Sequence, residues 1–460
     1  MAHPRQRLAQ AGLVAVALLA GCGSSAPKPD GATLRLALPL IPRTVDPAKA
    51  GDLPSLNVAH ELYSGLTRFK GTGVVPDLAQ SWDVGQGGLV WTFHLRKGLR
   101  WSDDRPITAQ DVRRSWLRAL APGTEAPLAG PDLGIVKGAR GYHATGRGSV
   151  GVQALDDRTL RVTLQHPIPW LDQLAATPIA AAYRPNAYSG PFRLAHRLVL
   201  ERNLNYWNVR KVKPAKLVFT TATKGADAIL PRGLAPPGLP WVQTAKPPTG
   251  PGWMKLPTLS VQLLWTTDRG LVFPPRSPLV PKAMPGFRTI TATTGPSASL
   301  EFVPRRPLTL AYTRQDALAP GTVTSVTRDL RRFDATVVPR RYRTLADLVS
   351  TPSPGDLVLL GWSAKVFDAY NILDLFPCGS AFNVEHWCDP SYDALMRRAV
   401  RRLDDRARWE LERKLLDKVL AAAPAAALSQ PSEYVWIRPG VRGFSWSPIG
   451  FYELDGMTRS

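Results

Sequence analysis

Alternating apolar and polar positions mark the first ordered segment. Thr33 to Leu38 reads as a strand, Asp46-Pro47 breaks it, and Leu56 to Leu66 takes up helical spacing. Leu89 to Leu95 alternates bulky apolar with polar residues and reads as a half-buried strand. Thr108 to Leu120 reads as a helix, with Thr108 as cap, Asp111 three residues on, and Val112, Trp116 and Leu120 along one face. Gly151 to Ala154 and Thr159 to Leu164 form a strand pair turned by Asp156-Asp157. Gly233 to Pro307 is rich in proline and glycine with little periodicity, and reads as loops and short strands. The pattern then sharpens: strand Leu308 to Thr313, helix Thr322 to Phe333, strand Ala335 to Pro339 and strand Asp356 to Trp362. This βαβ alternation predicts an α/β unit with a partly parallel sheet. Asp389-Pro390 opens a helix whose face continues through Leu395, Ala399 and Leu403, and Leu411, Leu415 and Val419 make a second stripe.

One apolar segment fits no domain. Arg5 and Arg7 precede a run from Ala11 to Ala20 that closes at Leu19-Ala20-Gly21-Cys22. A positive start, a short apolar stretch and small residues before a cysteine are the parts of an export signal. The run is about half the ~20 residues a membrane helix needs. Leu-Ala-Gly-Cys resembles the bacterial lipobox, which implies cleavage before Cys22, lipid on its sulfur, and a position on the extracytoplasmic face of the cell membrane. Gly23 to Lys28 reads as a flexible tether.

Composition refines this picture. A chain of 460 residues is long for one core and implies two or three domains. The net charge is +22, yet no run of five basic residues occurs. An exported lipoprotein rarely meets nucleic acid, so the charge reads as a basic surface near anionic headgroups, with an acidic substrate as the alternative. Of three cysteines, Cys378 and Cys388 remain once Cys22 carries lipid. In an oxidising compartment the two either close a disulfide, worth roughly 3 kcal/mol in the chain-entropy model, or stay free thiols.

Several blocks together carry a resemblance. Val75-Pro76-Asp77-Leu78-Ala79-Gln80-Ser81-Trp82 leads to the run Trp91 to Asp103 and on to Pro106 through Val112. A second block pairs Ser189 to Leu194 with Leu200 to Trp207, and a third comprises Gly361-Trp362, Tyr370-Asn371 and Trp387 through Leu395. These resemble the extracellular solute-binding proteins of peptide-type ABC importers, the oligopeptide- and dipeptide-binding family. The resemblance spans most of 33–430, with a weak patch near 230–305. It implies an α/β, two-lobed periplasmic-binding-protein-like fold with a hinge and an interlobe cleft, plus an extra subdomain. The implied boundaries are a signal peptide at 1–21, a lipidated tether at 22–32, lobe I at 33–54 with 166–255 and 432–460, the subdomain at 55–165, and lobe II at 256–431. The blocks themselves read as structural: Trp91, Phe93, Leu95 and Trp101 as core, Gly98 and Ser102-Asp103-Asp104 as turns.

The resemblance implies capture of an extended peptide or peptide-like solute and its delivery to ABC permease subunits, by a monomer that uses no cofactor and binds no nucleic acid. Two segments are implied to line the cleft: one after the first strand, with Arg43 and Thr44, and one after Gly361, with Trp362, Ser363, Ala364, Lys365, Asp368, Tyr370 and Asn371. Many relatives carry Ala-Asp-Tyr after the tryptophan, and that carboxylate takes the peptide α-amine. Here Lys365-Val366 follows Ala364, so free-peptide recognition is in question. Asp368 could substitute for the missing carboxylate, and Lys365 with Arg43 could favour an anionic or N-blocked solute. Two alternatives stay open: a non-transporting surface scaffold or sensor, and a binder of a non-peptide solute. An enzyme is not expected. The seven histidines are dispersed, no G-x-S-x-G or P-loop occurs, and Ser25 to Lys28 matches S-x-x-K by letters alone.

Overall fold

Three sheets organise the chain, and each follows from a different patterning. The four-stranded sheet runs Ala79–Gly85, Val90–Leu95, Thr159–Thr163, Val152–Asp156, antiparallel throughout. Its second strand buries Trp91, Phe93 and Leu95 on one side, as the alternation implied. Across that side lies helix Ala109–Leu120, started by a capping box in which the Asp111 carboxylate accepts the Thr108 N–H at 2.9 Å. Val112, Trp116 and Leu120 are fully buried, and the Trp116 indole N–H is satisfied by the Ala180 carbonyl at 2.7 Å.

The seven-stranded sheet has the order Trp253–Leu256, Glu433–Ile437, Ala228–Ile229, Thr33–Ala37, Lys216–Thr220, Val199–Arg202, Phe192–His196. Its first strand, Thr33–Ala37, lies at the centre, parallel to both neighbours. The helix that follows spans Leu53–Leu62, a few residues ahead of the expected Leu56 to Leu66. The Asp52 carboxylate caps it by accepting the Ser55 N–H at 2.9 Å, and the chain past Tyr63 is extended. Gly190 lies against that end: a Cβ there would be 2.7 Å from the Leu62 carbonyl carbon, so only glycine allows the approach.

The five-stranded sheet runs Val337–Tyr342, Leu308–Thr313, Leu357–Ser363, Ser260–Thr266, Ala425–Ser429. The first three strands are parallel, as the βαβ pattern implied. Ser260–Thr266 is buried at every position and sits inside a stretch that reads as loops and short strands. A strand covered on both faces has no alternation to reveal it. The crossover helix spans Ala319–Arg331, shifted towards the N-terminus from Thr322 to Phe333, and the strand expected at Ala335 to Pro339 lies at Val337–Tyr342. The helix opened by Asp389-Pro390 ends at Ala399. Leu403 therefore does not extend its stripe and is 42% exposed. Cys378 and Cys388 are joined as a disulfide.

The chain passes between the seven- and five-stranded sheets at Pro257–Leu259 and Gln430–Ser432. The Thr258 hydroxyl donates to the Pro431 carbonyl at 2.6 Å, so the two crossings run side by side. The computed structural model describes residues 31–231, 250–267, 275–290, 306–314, 316 and 319–460. The expected signal peptide, Cys22 and most of the tether lie outside the described residues. Among the described residues no helix is long and apolar enough to cross a membrane, and no cluster of three metal-binding side chains occurs.

Candidate functional site

The sequence blocks that carry the resemblance are bound mainly to one another. The Asp77 carboxylate accepts the Trp207 indole N–H at 2.6 Å and the Tyr206 hydroxyl at 3.4 Å. The Arg96 guanidinium lies 3.7 Å from the Trp207 ring centroid and its Nε donates to the Asp77 carbonyl at 2.7 Å. Asn205 donates to the Trp101 carbonyl at 3.1 Å, and Asn203 to the carbonyls of Tyr188 and Gly190 at 3.2 and 2.9 Å. These side chains tie the loops together, and the Tyr188 and Trp101 carbonyls also accept the Ser102 and Asp104 N–H groups, each at 2.9 Å. The tryptophans expected as core are core: Trp91 is 2% and Trp101 0% exposed.

The segment after strand Leu357–Ser363 is organised by Asn371. Its carbonyl accepts the Trp362 indole N–H at 3.0 Å and its side-chain oxygen accepts the Lys365 N–H at 3.0 Å. The Ser363 hydroxyl meets that of Ser260 at 2.8 Å, and the Ala364 N–H is held by the Leu259 carbonyl at 2.8 Å. Phe382 packs edge-on to Trp362 at 4.8 Å between centroids.

From this base the segment reaches residues that belong to other parts of the fold. The Lys365 ammonium donates to Asp132 at 3.1 Å; Asp132 is 7% exposed and Lys365 49%. Burial pushes the Asp132 carboxyl up, and the Lys365 charge opposes that rise. The Phe367 N–H donates to the Gln173 side chain at 2.6 Å, and the Tyr370 ring lies 4.9 Å from that of Trp170. Asp368 is fully buried, and its carboxylate accepts Arg408 Nε at 2.7 Å. Arg408, 5% exposed, also faces Asp405 and Glu412. Burial, and next the Asp368 charge, hold the Glu412 carboxyl well above its ordinary range. The Asp368 carboxylate thus serves this ion cluster, whereas the Lys365 ammonium stands at the boundary with Asp132.

Asp172 adjoins the same cluster. Burial, with the Asp405 charge adding to it, raises its carboxyl to about 6. A carboxyl raised in the folded state contributes stability below its unfolded value, near 4, and loses it as the pH rises through 6. The variant Asp172→Asn is therefore expected to melt higher than the parent at neutral pH and with it at about pH 4. Scanning calorimetry across that window checks this; parallel curves would contradict it.

Arg43 and Thr44 stand apart from this segment. Both backbone N–H groups donate to the Ser55 hydroxyl, at 2.9 and 3.3 Å, and the Arg43 side chain is exposed. Sequence reasoning missed Asp132, Trp170, Gln173 and Arg408. For Arg408 a signal existed: it shares a helix face with Glu412, Leu415 and Val419, where a buried charge demands a partner. Asp132, Trp170 and Gln173 have no spacing that relates them to Lys365.

Residues 73–230 match the family described as bacterial extracellular solute-binding proteins, family 5, middle. The chain is 26% identical to the probable deoxycholate-binding periplasmic protein YgiS of Escherichia coli, over 88% of this chain and 89% of that one. It is 32% identical to the periplasmic oligopeptide-binding protein OppA of Escherichia coli over 45% of this chain and 44% of that one. Among solved structures, the periplasmic murein tripeptide-binding protein MppA in an unliganded open form superposes with a TM-score of 0.75 at 19% identity, covering 94% of this chain and 98% of the other. The expected α/β, two-lobed fold is thus the architecture present.

Proposed function

We propose that this chain, which belongs to the bacterial extracellular solute-binding proteins of peptide-type ABC importers, captures a peptide or peptide-like solute without a free α-amine and delivers it to an ABC permease. Lobe I (33–54, 166–255, 432–460), the subdomain (55–165) and lobe II (256–431) are the moving parts, and the paired crossings at Pro257–Leu259 and Gln430–Ser432 are the hinge. Each proposed unit has its own sheet, which supports the division.

The observation that carries the reading is the contact between Lys365, Phe367 and Tyr370 on one side and Asp132, Gln173 and Trp170 on the other. A solute held where these parts meet would touch both and favour their closure. Trp362, Ser363, Ala364, Asn371 and, from the other wall, Arg43 and Thr44 are the further lining residues proposed. Backbone pairing with an extended peptide gives affinity with little regard to side chains. Asp132 is the carboxylate that would take an amine, but Lys365 occupies it. Asp368 is left out of the ligand set, because Arg408 holds it in the core.

A second reading, a non-peptide solute, is favoured by the match to a deoxycholate-binding protein over 88% of the chain. An anionic solute would suit Arg43 and Lys365. The discriminating experiment is mass spectrometry of what co-purifies with the soluble polypeptide, native and then acid-released. A ladder of short N-blocked peptides is expected. One dominant non-peptide mass would establish the second reading, and free-amine peptides alone would overturn the role given to Lys365. For the anchor, cells fed labelled palmitate are expected to label the parent chain and not Cys22→Ser; equal labelling would remove the lipid from Cys22.

A further inference from the structure

We propose that the edge of the five-stranded sheet, through Arg331, Arg332, Phe333, Val338, Arg340 and Arg341, rests on an anionic lipid surface. These residues form one exposed stretch of chain. The crossover helix ends at Arg331, and its last turn is closed by the Phe333 N–H to the Leu330 carbonyl at 2.9 Å and the Asp334 N–H to the Arg331 carbonyl at 3.2 Å. Asp334 turns the backbone with a φ of 56°, and three residues later the chain enters Val337–Tyr342, the outermost strand.

The charge of this stretch is one-sided. From Arg331 to Arg343 there are five arginines against a single acid, Asp334. Arg331, Arg332, Arg340 and Arg341 are exposed; Arg332 is among the charges that lower the Asp329 carboxyl, and Arg340 lies along the strand with its guanidinium 5.3 Å from the Tyr342 ring centroid. Beside them Phe333 is 48% and Val338 50% exposed. Apolar side chains flanked by arginines suit a headgroup boundary: the ring and methyls enter the acyl region while the guanidiniums stay at phosphate level.

The edge itself argues against strand addition. Pro339 sits in the middle of the outer strand, where it removes a backbone donor, and charged neighbours further discourage pairing. A flat anionic surface needs no shape complement. The segment from Cys22 to Gly31 spans at most about 30 Å when extended, so a tethered polypeptide stays close enough for a basic face to settle against headgroups. The proposal extends the lipid-anchored reading by giving the molecule an orientation; it does not depend on the solute.

The test uses the unlipidated polypeptide from Gly23 onward, since Gly31–Ser460 form one compact unit by themselves. Its binding to phosphatidylcholine vesicles with and without phosphatidylglycerol is measured by co-sedimentation at low and high salt. The parent is expected to bind only the anionic vesicles and to be released by salt. Changing Arg331, Arg332, Arg340 and Arg341 together to glutamine is expected to weaken binding about a hundredfold or more. The same change at the exposed Arg147, Arg158, Arg210 and Lys211 is expected to leave it within a few fold. Phe333→Ser is expected to weaken it without altering the salt dependence. Equal losses in the two four-fold variants would overturn the proposal in favour of net charge alone. Equal binding to neutral vesicles would also overturn it. Absence of vesicle binding, with the four-fold edge variant lowering uptake in cells, would overturn it in favour of an acidic protein face.

Discussion

Replacing Arg408 with leucine is expected to destabilise the fold by about 3–5 kcal/mol, the range for removing one partner of a buried ion pair. Arg408 is 5% exposed, and the two carboxylates nearest its Nε, Asp368 at 2.7 Å and Glu412 at 3.9 Å, have side chains with no exposure. Leucine fills much of the volume but leaves two acids facing one another without a cation. The loss is expected to grow with pH. Glu412 already titrates above its ordinary range because it is buried and faces Asp368, and Arg408 is the charge that holds it down. Without Arg408 its folded value rises further, so the stability carried by the protonated form disappears as pH increases. Urea titrations at two pH values measure this, with the midpoint moving and the slope constant. Adding Asp368→Asn to Arg408→Leu is expected to recover part of the loss. A loss under about 1 kcal/mol would mean that water reaches the cluster.

Lys365→Ala is expected to raise affinity for a free-amine tripeptide at least tenfold, about 1.4 kcal/mol, while an N-acetylated tripeptide is held no better. The parent already contains an ammonium on Asp132, its own, at 3.1 Å. A solute ammonium must displace it, and the displaced lysine then leaves a like charge beside the site. Alanine removes that competitor and exposes a largely buried carboxylate whose hydrogen bonds to a cation are strong. The gain is expected to vanish when Asp132→Asn is added to Lys365→Ala. Calorimetric titration with tri-alanine and its acetylated form reads the difference. A parent protein that binds both peptides equally would sink the argument, because the ion pair would then lie away from the solute.

Much of the fold was legible from local pattern. The strand Val90–Leu95 shows its buried side by alternation, and the helix Ala109–Leu120 announces its start through Thr108 and Asp111. Asp389-Pro390 likewise marks a helix start, with the Asp389 carboxylate accepting the Ser391 and Tyr392 N–H groups at 2.8 and 3.3 Å. These signals survive because they depend on neighbours within a turn or two. Ser260–Thr266 escaped because burial on both faces erases period-two contrast. Leu403 misled because a stripe of apolar residues does not say where a helix stops.

The candidate site divides along the same line. The family resemblance implied a cleft-lining segment after Gly361 and flagged Lys365 as the departure from its relatives. Both readings are one-dimensional. That Lys365 meets Asp132, 233 positions away, and that Asp368 turns inward to Arg408, 40 positions away, depends on how sheets and crossings bring distant segments together. Hydrophobic periodicity encodes which face of an element is buried, since that needs only the solvent. It does not encode which charge another element will bring to that face. The partners of the site's charged groups were therefore decided by packing, and with them the difference between a carboxylate free to receive an amine and one already taken.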